Sequence, residues 1–262
     1  MLGNSMLTNH KYIAFETILI KEIRRFTRIW LQTLVPPAIT IGLYFLIFGN
    51  LIGSRIGQMG GFDYVDFIVP GLIMMAVIQN AYANVSSSFF SNKFQRCIEE
   101  ILVSPVPNYI ILLGFVAGGM ARGVAVGLIV TAMSFFFTSL HIEHIFLTLL
   151  VVLLTSMVFS LAGFINALYA NTFDDISIIP TFVLTPLIYL GGVFYSIELL
   201  PTFGQWISAL NPVLYMVNTF RYGILGTSDV NILWALFMLG VFSAGLFGVA
   251  LYLLRKGTGL RQ

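Results

Sequence analysis

Six apolar stretches, each long enough to cross the hydrocarbon core of a bilayer, follow one another along this chain. They lie near 30–52, 66–90, 108–138, 144–169, 175–196 and 231–254. A helix crosses that core with about 20 predominantly apolar residues. The second and third stretches exceed this and are expected to tilt or project. Only 9% of the residues are charged and 58% are hydrophobic, against roughly 25% charged in soluble domains. So few charges cannot cover a water-facing surface. In lipid, backbone polar groups must be satisfied internally, which leaves a helix bundle or a closed barrel. Barrel strands alternate over about ten residues, whereas these runs are continuous and twice as long. The expected fold is an all-α membrane protein, a single domain over 1–262 with no room for a second, soluble one.

The basic residues orient the bundle. Residues 11–28, KYIAFETILIKEIRRFTR, place Tyr12, Phe15, Ile18, Leu19, Ile20, Ile23 and Phe26 mostly three or four apart, with charges between. This predicts an amphipathic helix too polar to span and suited to the membrane interface. No cleavable signal peptide is evident there. With the N-terminus inside, the inner segments hold Lys11, Lys21, Arg24, Arg25, Arg28, Lys93, Arg96, Arg255, Lys256 and Arg261, ten of the 13 Lys and Arg residues. Arg55 and Arg221 fall in outer loops, and Arg122 within the third stretch. The bias puts both termini in the cytoplasm.

The segment from Pro180 to Gly226 does not end in a polar loop. After Gly191-Gly192 it continues as two short hydrophobic pieces broken by Pro201 and by Asn211-Pro212. Asn211 suits a helix cap and Pro212 a first turn, predicting a half-helix over roughly 212–225. The greasiness of 197–228 predicts a re-entrant hairpin, tolerated at membrane depth only where it packs on protein or lines a cavity. The loop NKFQRCIEEILVSPVPNY predicts a short helix with Ile98, Ile101 and Leu102 as an apolar stripe, stopped by Ser104-Pro105 and Pro107. That stripe needs a surface to meet.

Several chemistries lack their residues. There is no phosphate loop of the type G-x-x-x-x-G-K-[ST], no nucleophile elbow and no H-E-x-x-H helix. The single Cys97 excludes an intrachain disulfide and a multi-cysteine metal site, and is expected as a small, partly buried thiol. His141 and His144 flank Glu143 in a short turn, where a polar connection explains them better than a metal site. No catalytic, cofactor-binding or metal-binding residue is assigned. Arg122, Gln79, Asn80, Asn84 and Asn166 are polar groups at depth, placed there by interhelical hydrogen bonding or by a substrate path.

These motifs resemble the membrane subunit of type-2 ABC exporters, the permeases for nodulation factors, polysaccharides and drugs. Over 186–226 the resemblance is carried by Gly191, Gly192, Phe194, Leu200, Pro201, Asn211, Pro212, Tyr215, Arg221 and Gly226. Tyr195 stands where many relatives have Pro. Glu99-Glu100-Ile101-Leu102-Val103-Ser104-Pro105 is similar to the family's coupling segment, though Phe94-Gln95-Arg96-Cys97-Ile98 departs from the Arg-Glu-Arg-Gly-Thr often found upstream. The resemblance implies a non-enzymatic permease in a bacterial cytoplasmic membrane, moving an amphipathic, lipid-linked, saccharide or drug-like cargo. It implies a homodimer or close heterodimer within membrane lipid, two copies of a separate ATP-binding subunit that carry ATP and Mg, and no nucleic acid. Coupling falls to Ile98, Glu99, Glu100, Ile101, Leu102 and Val103 in the cytoplasmic loop 92–107. The outer gate falls to Pro201, Asn211, Pro212, Tyr215 and Arg221. The alternatives are an ion-coupled secondary transporter, which needs paired acidic residues at mid-membrane, and a lipid-modifying membrane enzyme, which needs clustered His, Asp or Ser. No Asp or Glu falls well inside the six stretches, and the histidines do not cluster.

Overall fold

A computed structural model describes residues 2–138 and 142–259; His141 and Arg261 lie outside them. The chain begins with α1 (Leu2–Arg28), then α2 (Trp30–Thr33), α3 (Val35–Tyr44), a π-helical stretch (Phe45–Ile52) and α4 (Gly53–Ile56). Two short strands, β1 (Gln58–Met59) and β2 (Phe62–Asp63), pair antiparallel. The long helices α5 (Tyr64–Phe94), α7 (Asn108–Ser134) and α8 (Ile145–Tyr169) follow, with α6 (Cys97–Val103) in the turn after α5. Next come α9 (Phe173–Ile179), a π-turn (Pro180–Leu184) and α10 (Thr185–Tyr189). A 3-10 turn (Ile197–Leu199), α11 (Thr202–Ala209), α12 (Pro212–Leu225) and α13 (Ile232–Lys256) complete the fold.

Among the described residues five helices are long and apolar enough to cross a membrane: Trp30–Gly49, α5, α7, α8 and α13. The stretch expected as a span over 175–196 is helical only through α9 to α10. Pro180 and Pro186 carry no N–H, and the ladder between them slips into the π-turn, where the Thr185 hydroxyl donates to the Pro180 carbonyl at 2.9 Å. Gly192, at φ 72°, then turns the chain. The β-hairpin is a feature that the all-α reading lacked. Its two-residue turn, Gly60-Gly61, has both φ positive, as a primed hairpin turn requires.

Helix α5 is the axis of the bundle, packed against α7 and α8 along its length. Side chains from Phe67 to Phe90 bury on nearly every face. At the α6 end, Phe89 lies 4.3 Å from Phe164 and 5.2 Å from Phe115, centroid to centroid, in the range where aromatic pairs add to area burial. Close approach of the helices rests on small residues. A Cβ on Gly163 would stand 2.5 Å from the Tyr82 carbonyl oxygen, and one on Gly119 would collide with Ser160 and Val85. By contrast a Cβ on Gly240 of α13 meets nothing within 4 Å.

Gly163→Ala is therefore expected to destabilise the bundle by about 1–3 kcal/mol through overpacking. Gly240→Ala should be neutral or stabilising by up to about 1 kcal/mol through helix propensity. Thermal unfolding of the detergent-purified variants checks the contrast; equal midpoints would remove the close-packing argument.

Candidate functional site at the two ends of the bundle

At one end, α5 turns into α6 through Arg96, which adopts a left-handed φ of 60° although it is not glycine. In α6 the apolar stripe has already met a surface. Ile98 is 1% exposed, and Ile101 and Leu102 pack against the apolar cluster that contains Phe89, Ile111 and Phe164. The side chains left outward are Glu99, Glu100 and Val103, the last 87% exposed. The surface that the stripe of Ile98, Ile101 and Leu102 needed is its own bundle, and the outward face carries Glu99 and Glu100. Cys97, expected as partly buried, is exposed at the first residue of α6, because the inward positions of so short a helix go to Ile98 and Ile101. Ser104 is extended, as a residue before proline prefers, and ends the helix.

Two features beside α6 were not singled out from sequence. The Lys93 ammonium donates to the carbonyls of Leu168 and Ala170, at 2.8 and 2.6 Å, neutralising the C-terminal end of α8. The Asp175 carboxylate accepts from the Thr172 and Asn171 amides while Thr172 caps α9, a complete capping box. The Thr172-x-x-Asp175 spacing was the available signal. Asn166 donates to the Ile176 carbonyl and joins α8 to α9.

A row of polar side chains on α5 fastens α1 and α7 to it. Asn80, Asn84, Ser88 and Asn92 stand four residues apart on one face. Arg122 of α7 donates to the Asn80 side-chain oxygen at 3.1 Å and to the Thr33 carbonyl at 3.4 Å. Arg25 donates to the Asn84 side-chain and main-chain oxygens at 2.7 and 2.9 Å. Ser88 donates to Glu22 at 2.6 Å, and Lys21 to Asn92 at 2.7 Å. Glu22 is completely buried, with Arg25 at 3.5 Å. Asn80, Asn84 and Arg122 therefore hold helices together. Gln79 differs: it is half-buried and, with exposed Ala83 and Ser87, marks the open line on α5.

At the other end, two clamps hold α12. Asn211 accepts from the Val213 amide at 3.0 Å, capping the helix, and donates to the Leu187 carbonyl at 2.6 Å. Pro212 is the first residue, as expected. Arg221, counted above with the outer loops, is only 1% exposed. Its guanidinium lies 3.9 Å over the Phe67 ring centroid and donates to the Gly192 carbonyl at 2.6 Å and to Asn218 at 3.3 Å. The helical register of α12 turns it inward, which residue counting by loop could not show. Asn218 also accepts from the Asp229 amide, and Asp229 accepts from Ser196 and Ile197. Tyr215 donates to the Ala209 carbonyl at 2.8 Å, closing the α11–α12 corner, while Pro201 is exposed at the start of α11. His144 stacks on Tyr222 at 5.3 Å. Among the described residues no group of three His, Cys, Asp or Glu could hold a metal ion.

Arg221→Met is expected to lower stability by about 1–3 kcal/mol, because the buried Gly192 carbonyl loses its donor. Arg221→Lys should recover part of the loss, since an ammonium can still donate singly. Thermal midpoints of the purified variants test this, and an unchanged midpoint in Arg221→Met would rule out the clamp.

Comparison with known proteins assigns the chain to a family. The profile described as ABC-2 type transporter matches residues 13–225. The chain is 58% identical over 251 residues to the inner membrane transport permease YadH of Escherichia coli (strain K12), covering 96% of this chain and 98% of that protein. It is 23% identical over 219 residues to nodulation protein J of Rhizobium leguminosarum bv. viciae, covering 82% of this chain and 83% of that protein. With its axial helix, its α6 turn and its capped α12 all inside the matched region, the chain belongs to the ABC-2 type transporter family.

Proposed function

We propose that this protein is the membrane-spanning permease subunit of an ATP-driven exporter in a bacterial inner membrane. The observation that carries the reading is α6: its apolar side is welded into the bundle while Glu99, Glu100 and Val103 face outward. A force applied to that outer face must move α5 and α7. The sequence offers no phosphate loop of its own, so ATP and Mg belong to a separate ATP-binding subunit, present in two copies under a dimer of permeases. The name of the similar Escherichia coli protein supports both the transport role and the inner membrane location.

In this reading the run α9–α10 is a sixth, short span, about 25 Å long at 1.5 Å per residue. The α11–α12 hairpin re-enters the outer leaflet and gates the path, and α1 lies along the inner surface with both termini cytoplasmic. The path follows the open line Gln79–Ala83–Ser87 between the two copies. ATP drives the cycle by binding better to one orientation of the spans than to the other. The cargo class is amphipathic, lipid-linked, saccharide or drug-like.

Purification of the mildly solubilised chain from its native membrane tests the core of this. It should bring down a stoichiometric ATP-binding subunit with ATPase activity, and a chain with no such partner, from cells that express one, would reject the exporter reading. Glu99→Ala with Glu100→Ala should weaken that docking by about 1–2 kcal/mol, a factor of roughly 5 to 30, without loss of membrane insertion. Orientation is readable without new residues: a membrane-impermeant maleimide should label Cys97 in inside-out vesicles and leave it unlabelled in intact spheroplasts. Labelling in spheroplasts would invert the topology.

A further inference from the structure

One flank of α1, open beside α5, carries a row of cations in which Arg24 and Arg28 have no counter-ion among the described residues. Thr17, Lys21, Arg24 and Arg28 stand three or four residues apart and share one side of the helix. With Ile20, Arg25 and Ile29 they line an open groove of about 950 Å³ where α1 breaks into α2. Among the described residues the one ion pair joins Arg25 to Glu22; Arg24 and Arg28 are exposed and face no carboxylate. Lys21 and Arg25 are steadied by Asn92 and Asn84, so part of the cationic row is already positioned. The same groove has aliphatic walls, and exposed Trp30 and Leu31 follow immediately at the start of a spanning-length helix. Indole at that position marks the headgroup level of a bilayer.

We propose that this groove binds an anionic membrane lipid, its phosphodiester headgroup against Arg24, Arg28 and Lys21 and the upper part of its acyl chains along Ile20, Ile29 and Trp30. A free phosphate would engage the cations and leave the apolar wall bare; a zwitterionic lipid would meet the wall and carry no net charge to the row. Bound lipid supplies the counter-charge that the fold does not. It also holds the open flank of α1 to the leaflet while Glu22, Lys21 and Arg25 hold the helix to α5. The proposal rests on the reading of α1 as a membrane-surface helix.

Native mass spectrometry of the purified full chain, titrated with phosphatidylglycerol or phosphatidylcholine, tests it. The wild type should retain phosphatidylglycerol preferentially. Arg24→Gln with Arg28→Gln should weaken that retention roughly thirtyfold and Arg24→Gln alone about fivefold, from the usual contribution of one cation near an anionic surface. Arg55→Gln, remote from the groove, should change nothing. Equal retention of the two lipids, or full retention by the double variant, would overturn the proposal. Displacement of phosphatidylglycerol by inorganic phosphate at equal concentration would also overturn it, showing a site for free phosphate. If the double variant does not yield monodisperse protein, the single variant decides. The measurement uses neither ATP nor a partner subunit, so failure of the exporter reading shows in the purification experiment and leaves this result intact. Labelling of Cys97, at the same end of the bundle, tests separately that this end meets water.

Discussion

Three side chains on α5, at 84, 88 and 92, determine where the N-terminal helix can sit. Each is an uncharged polar group, and each is bonded to a charged one on α1: Arg25, Glu22 and Lys21. Interhelical hydrogen bonds in membrane proteins contribute about 0.6 kcal/mol each on average, so three such links supply only about 2 kcal/mol. Their main effect is register. Shifting α1 by one residue would strand a buried carboxylate and a half-buried guanidinium, which costs several kcal/mol per ion. The seam is closed from behind by α7, where the Gly118 position admits the Glu22 stem and Gly114 admits Ile18. An amphipathic helix that could float on the bilayer is thereby fixed to the bundle.

The same axial helix meets the hairpin at its other end. Phe67 lies under Arg221, the Tyr64 hydroxyl donates to the Phe194 carbonyl at 3.1 Å, and Gly71 leaves room for the Val193 main chain. Helix α6 hangs from the opposite terminus with Ile98 in the core. A displacement of α6 is therefore delivered to a packed, glycine-spaced rod. Interiors at this density pass strain on instead of absorbing it.

Much of this was legible in the chain. Apolar length located the spanning helices within a few residues, Asn211-Pro212 and Gly226 bounded α12, and Ser104-Pro105 ended α6. What stayed hidden depended on partners distant in sequence. The four-residue spacing of Asn80 and Asn84 was visible, but Glu22 lies on a segment whose local pattern is that of a surface helix. Its burial follows from a glycine nearly a hundred residues away. Arg221 looked like a loop charge because its acceptors, Gly192 and Asn218, count only once the chain has folded back. The break in the run after residue 173 depended on two prolines whose combined effect on a helix ladder cannot be read from hydropathy. The Gly60-Gly61 pair is a readable turn signal, but strands of two residues make no hydrophobic pattern on either side of it.

A buried arginine with no carboxylate at ion-pair distance usually signals an unfinished site, yet Arg221 has a use that needs none. Aromatic face, main-chain carbonyl and amide oxygen together satisfy much of the guanidinium, and desolvation strengthens the cation–π term. With Asn211 capping the other end, α12 is held at both termini and packed among α5, α8 and α13. In the gating role proposed above, this hairpin could not open by unwinding α12, since either terminus would expose a buried polar group. It must pivot as a body, and the backbone offers two places for that. Gly192 and Gly226, at φ 72° and 73°, bracket the hairpin in a conformation that glycine leaves at little cost and other residues do not.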